Sequence, residues 1–195
     1  TIASANRRSV YLLVGGISEK EVAFCTGFAI RPSILTTNAH CVRAAQTIQG
    51  KGGQIFAVQN GDGKRRLAIR TMVAHSGYRP NHLSSDVGLM RVDGAMGRTV
   101  RLASVDELRN LSQGQTMYTL GFPGALAKPK SPEATITQGI ISRVMTPDKT
   151  GGTFEQTKIL QHTAYVTGGT SGSPIFDGNG TVVAVNAGGF TTRQN

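Results

Sequence analysis

Gly168-Gly169-Thr170-Ser171-Gly172-Ser173-Pro174 places a serine between glycines, with the apolar pair Ile175-Phe176 directly after the proline. Glycine on either side lets the backbone turn sharply and leaves the Ser171 hydroxyl exposed at a bend. The same turn can aim the Gly169 and Ser171 amides at one point, where a developing oxyanion would sit. A hydroxyl is a weak nucleophile at its own pKa, so this reading requires a base and an orienting acid elsewhere in the chain. A Gly/Ser/Thr-rich surface turn would have the same composition. The rest of the sequence has to decide between them.

His40 and Asp86 supply the missing parts. His40 lies in Leu35-Thr36-Thr37-Asn38-Ala39-His40-Cys41-Val42, just past the end of an expected strand. An imidazole there can stand at a cleft and act as general base near neutral pH. Asp86 precedes the strand-like run Val87–Val92, where a carboxylate partly buried by its own strand can fix the histidine tautomer and stabilise the imidazolium. Each alone has an ordinary reading, as a surface or core histidine and as a turn aspartate. Together with Ser171 they put three chemically matched groups at three strand boundaries.

Turn residues recur about every ten positions, and 25 of the 195 residues are glycine, a pattern that favours many short strands over few long helices. Strands are expected at Ser9–Val14, Glu21–Ile30, Ser33–Asn38, Gln54–Gln59, Leu67–Ala74 and Val87–Val92, with turns at Gly50–Gly53 and Asn60–Gly63. Asp93–Gln113 is mostly polar, with a helical turn near Val105–Leu111, and reads as a connection. Further strands are expected at Thr116–Leu120, Ala134–Met145, Thr157–Thr163, Pro174–Phe176 and Thr181–Asn186, with loops at Lys128–Pro132 and Pro147–Thr153. Six strands, a connection and about five more describe an all-β chain of two packed units: residues 1–100, a connecting segment at 101–113, and residues 114–195.

The net charge is +10, from 21 Lys and Arg against 11 Asp and Glu. These basic residues are scattered, from Arg7-Arg8 and Lys64-Arg65-Arg66 to Lys128, Lys130 and Arg143, and few aromatics stand among them. No base-stacking nucleic-acid surface is indicated, whereas a solvated basic surface, or attraction to an anionic partner, is compatible with the balance. No apolar run approaches the length of a transmembrane helix. No signal-like segment opens the sequence, so an exported protein would have carried its leader ahead of it. His75, His82 and His162 have no metal-ligand spacing with one another or with cysteine.

Cys25 and Cys41 are the only cysteines, 16 residues apart. Two buried thiols and one disulfide both fit. The disulfide is favoured because Cys41 follows the candidate base, where a staple would hold the loop still; it would close a loop worth about 3 kcal/mol and imply an oxidising compartment, secreted or periplasmic.

The three segments resemble those of chymotrypsin-like serine proteases: T-x-A-H-C, D-[IVL]-[AG]-L and G-x-S-G-x-P, in the order His, Asp, Ser. Gly121-Phe122-Pro123-Gly124, Thr135–Val144 and Leu160–Phe176 are similar to the bacterial HtrA-like and glutamyl-endopeptidase-like branches. The resemblance implies two packed, six-stranded-type antiparallel β-barrels with the active site in the cleft between them. It also implies a His40–Asp86–Ser171 triad, an oxyanion hole from the Gly169 and Ser171 amides, and no cofactor or metal. Thr170 stands where the trypsin branch has an aspartate that pairs with a new N-terminus, so activation by that salt bridge is not expected. Ser173 replaces a glycine of many relatives. The primary substrate pocket is expected from Tyr165, Val166, Thr167 and Gly168 on one side and Asn186, Ala187 and Gly188 on the other. Without a carboxylate there, a neutral, apolar P1 side chain is expected. The rival expectation is a dormant protease fold that binds anionic partners.

Overall fold

Val10–Ile17 forms strand β1, and its side chains alternate between two interiors. Tyr11 and Leu13 pack with Leu35, Ile55 and Met90 inside a barrel. Val10, Leu12 and Val14 pack on the other side with Phe28, Phe122, Phe176 and Val182. A strand buried on both faces must be apolar at every position, which is why this stretch reads as an uninterrupted hydrophobic run.

The computed structural model describes residues 1–18, 20–145 and 159–188. After β1 come β2 (Lys20–Arg31), β3 (Ile34–Thr37), the helix α2 (Ala39–Gly50), β4 (Gln54–Gln59), β5 (Asp62–Ala74) and β6 (Gly88–Val92); a short α1 (Ile2–Asn6) precedes them. The six strands close antiparallel in the order β1-β2-β3-β6-β5-β4, with β4 returning to β1. The second half contributes β7 (Arg101–Leu102), α3 (Val105–Arg109), β8 (Thr116–Gly121), β9 (Thr135–Met145), β10 (Ile159–His162), β11 (Pro174–Asp177) and β12 (Thr181–Val185). Its sheet order is β10-β9-β8-β11-β12-β7.

The expected all-β architecture of two packed units is therefore observed, as a closed barrel and a second six-stranded sheet. Among the described residues this second sheet is open rather than a closed barrel. Its β7 edge also pairs parallel to β12, which the expectation of antiparallel strands throughout did not include. β5 begins at Asp62, five residues before the expected Leu67. The turn is only Asn60-Gly61, with Gly61 at φ +78°, the residue pair suited to a two-residue hairpin. α2 was not expected. Its apolar positions Cys41, Val42 and Ala45 are buried and Ile48 packs beside them, the spacing of one helical face. The expected loop Pro147–Thr153 and strand positions Thr157 and Lys158 lie outside the described residues.

Candidate active site

β3 delivers the chain to Asn38, and α2 starts at Ala39, so His40 sits in the first turn of a helix. Amides there have no intrahelical acceptor. Asp86, in the segment leading into β6, answers both needs of His40: Oδ1 accepts from its backbone N–H (3.0 Å) and Oδ2 lies 2.6 Å from Nδ1. A carboxylate can only accept, so Nδ1 carries the proton and Nε2 is left with its lone pair, the form required of a base. Negative charge at a helix N-terminus is favourable as well. The Asn38 amide nitrogen donates to the Asp86 carbonyl (2.7 Å), holding the aspartate segment against the helix start. Nearby, the Arg43 guanidinium lies 4.8 Å from the centre of the Tyr78 ring. Burial and the Asp86 charge push the Tyr78 phenol above its usual range, against the opposing pull of Arg43.

The Ser171 turn docks on this same region. The Thr26 amide donates to the Ser171 carbonyl (2.8 Å), and the Thr26 hydroxyl donates to the Gly169 carbonyl (3.0 Å) while accepting from the Phe122 amide (3.1 Å). The Thr26 carbonyl in turn accepts from the Thr37 hydroxyl (2.7 Å). Gly172 has φ +84°, and a Cβ there would stand 2.1 Å from the Thr26 carbonyl oxygen. Gly169 has φ +93° and would bring a Cβ within 2.6 Å of Phe122 and Gly124 backbone. Both glycines are thus required by backbone conformation and by close approach. Among the described residues, the Gly169 and Ser171 amides donate to no acceptor, and Ser171 Oγ makes no hydrogen bond.

Cys25 and Cys41 are joined by a disulfide. It ties β2, one residue before Thr26, to α2, one residue after His40. A His40 ring nitrogen and the two sulfurs lie within 4.8 Å of one another; because both sulfurs are bonded to each other, they are not thiolate ligands for a metal.

A cavity of about 690 Å³ opens beside the turn, lined on one side by Tyr165 and Thr167–Thr170 and on the other by Phe24 and Pro123–Leu126. Of the residues expected at the primary pocket, Tyr165, Thr167 and Gly168 line this cavity. Val166, Asn186, Ala187 and Gly188 do not line it. Asn186 is 1% exposed, and its side-chain nitrogen donates to the Thr170 carbonyl. Thr170 bonds within the turn, its hydroxyl donating to the Thr167 carbonyl (2.7 Å). Ser173 is fully buried, and its hydroxyl donates to the Thr170 carbonyl (2.7 Å).

Sequence reasoning missed Thr26, Phe24 and Pro123–Leu126. A threonine inside an apolar strand was the available signal for Thr26, since a buried hydroxyl must find a partner. His162, which has no metal-ligand spacing in the sequence, reaches Asn186 with Nε2 (3.3 Å). Burial holds its pKa below the ordinary range, partly offset by Asn186 and the Ala164 backbone.

A family model described as a trypsin-like peptidase domain matches residues 25–185. Serine protease Do-like HtrB of Bacillus subtilis (strain 168) is 31% identical over 106 residues, 53% of this chain and 22% of that protein. The chain thus spans about a fifth of the length of that curated relative. The crystal structure of Deg5 aligns with TM-score 0.69 at 20% identity, covering 96% of this chain and 82% of that one. The HtrA-type protease AlgW with a decapeptide gives 0.72 at 18% identity, covering 97% and 58%. An active-form protease from M. tuberculosis gives 0.65 at 22%, covering 96% and 73%. At these identities the structural likeness shows the fold.

Proposed function

Because the chain belongs to the trypsin-like peptidase domain family, we propose that it is a serine endopeptidase working through His40, Asp86 and Ser171. Ser171 Oγ attacks the scissile carbonyl carbon while its proton passes to His40 Nε2. The C–N bond then breaks, the proton moves to the leaving amine, and an acyl-enzyme remains on Ser171. Water, deprotonated by His40, attacks that ester and regenerates the hydroxyl. Asp86 holds the imidazole throughout, and the Gly169 and Ser171 amides receive the negative charge that builds on the carbonyl oxygen. No metal or cofactor enters this sequence of steps. The observation that carries the reading is the 2.6 Å contact between His40 Nδ1 and Asp86 Oδ2, which leaves Nε2 as the base. Nucleophile and base come from residues 114–195 and 1–100, the two units proposed for the chain, with 101–113 joining them.

The substrate is a polypeptide, as the peptidase family implies, and the side chain next to the scissile bond is uncharged. The described cavity lining contains no charged residue. The disulfide fits an oxidising compartment, secreted or periplasmic. Incubation with an unfolded protein, followed by mass identification of the new termini, tests both parts. Cleavage lost in Ser171→Ala, with apolar or small P1 residues dominating, is expected. Cleavage that survives in Ser171→Ala would refute the assignment, and predominantly acidic or basic P1 residues would refute the specificity.

A second property, attraction to anionic surfaces, is favoured by Arg7, Arg8 and Arg98, which line one small cleft. None of the three has an ion-pair partner among the described residues. Retention of Ser171→Ala protein on heparin at low salt, weakened in Arg8→Ala/Arg98→Ala, is expected; equal elution of the two proteins would dismiss it.

A further inference from the structure

Asn186 follows directly on β12 and is almost wholly buried, yet all four of its polar groups are used. Its amide donates to the Ser173 carbonyl (2.9 Å), and its carbonyl accepts from the Gly172 amide (2.8 Å). The side-chain nitrogen donates to the Thr170 carbonyl (3.0 Å) and approaches the Thr170 hydroxyl (3.4 Å). The side-chain oxygen faces His162 Nε2 at 3.3 Å. One residue therefore holds the chain on both sides of Ser171. The Thr170 carbonyl also accepts from the Ser173 amide (3.1 Å) and hydroxyl (2.7 Å), so three donors converge on it.

That carbonyl and the Ser171 N–H belong to one peptide unit. A trans peptide is planar, with C=O and N–H pointing in opposite directions. Fixing the Thr170 oxygen from behind therefore fixes where the Ser171 amide points in front. The other amide of the expected oxyanion hole is aimed in the same way: the Gly168 carbonyl, in the peptide unit of the Gly169 N–H, accepts from the Gly124 amide at 2.6 Å.

We infer that Asn186 is a positioning residue for the Ser171 oxyanion amide, and that His162 sets the orientation of Asn186. The inference rests on the assignment of Ser171 as nucleophile. The carbonyl of Thr170 demands a donor, so the nitrogen of the Asn186 carboxamide faces it and the oxygen faces His162. His162 must then donate from Nε2, and loss of that donor frees the carboxamide to rotate. The device needs a residue with one donor end and one acceptor end at 186 and an N–H donor at 162.

The test is inactivation by a fluorophosphonate across a concentration series, separating the binding constant KI from the bond-forming rate kinact. Folding of each variant is checked by thermal unfolding. Asn186→Ala is expected to lower kinact by about 10²–10³-fold, the effect of losing one oxyanion donor, with KI little changed. His162→Phe, which keeps a ring but has no N–H, is expected to lower kinact about tenfold. His162→Gln, whose Nε2 is as many bonds from Cβ as the histidine Nε2, is expected to restore it. Should Asn186→Ala not fold, the His162 pair decides. Folded variants that react at the parental kinact, or a glutamine variant as slow as the phenylalanine one, would overturn the inference alone. A parent protein that takes no label on Ser171 would overturn the nucleophile assignment and the inference with it.

Discussion

Asp86 serves two ends that substitution can separate. One oxygen caps the first turn of α2 through the His40 amide and the other holds the His40 ring. Asp86→Asn keeps an acceptor for the helix amide but offers the ring a choice of tautomers. Peptide hydrolysis should fall about 10⁴-fold with little loss of stability. Asp86→Ala should lose activity and, with the cap gone, about 0.5–2 kcal/mol of stability as well; equal stability losses in the two variants would contradict the division of labour. His162 gives a prediction in pH. Burial lowers its pKa from the ordinary 6.5, so on acidification the unfolded chain takes up this proton before the folded chain does. Stability from this group is complete above 6.5 and declines as pH falls below it toward the folded value. The urea midpoint of the parent should drop more on acidification through that range than that of His162→Gln; parallel profiles would show that His162 is not the source.

Among the elements, the link between β2 and α2 matters most to the site. The disulfide closes a loop containing β3 and His40, and its sulfurs lie beside the His40 ring. Replacing both cysteines by serine should cost about 3 kcal/mol and lower the reactivity of Ser171, read together by thermal unfolding and fluorophosphonate reaction. Full reactivity at reduced stability would confine the bridge to a structural role. This link also shows what the sequence made legible. The His40, Asp86 and Ser171 segments announced themselves because each needs particular residues beside it, such as the glycines at 169 and 172. The strand β1 was legible because both its faces are buried. α2 was not, because its apolar face, Cys41, Val42, Ala45 and Ile48, is short and has small residues at two of its four positions. Asn186 is a different case. The resemblance put it at the primary pocket, and packing shows that its carboxamide turns to Thr170. The partnership of Thr26 with Gly169 spans 143 residues, and local sequence carries no trace of it.

For the molecule as a whole, the two halves do not fold around separate interiors alone. Between the barrel core and the core of the second sheet lies a third cluster, to which β1 gives Leu12 and the second half gives Phe122 and Phe176. The Ser171 turn is fastened across the same boundary by Thr26. Leu12→Ala should therefore cost about 2–5 kcal/mol, and chemical denaturation should still show a single transition, with near-ultraviolet and far-ultraviolet signals coincident. Two separated transitions would mean that the halves are independent and that the site between them is not held by the fold.

The central claim is that His40 and Ser171 act on one another. It is tested most directly by treating the folded protein with a fluorophosphonate and locating the adduct by mass. Phosphonylation is expected on the Ser171 hydroxyl, with loss of fluoride, and is expected to disappear in His40→Ala. A folded protein left unlabelled at Ser171, or labelled equally well without His40, would contradict it.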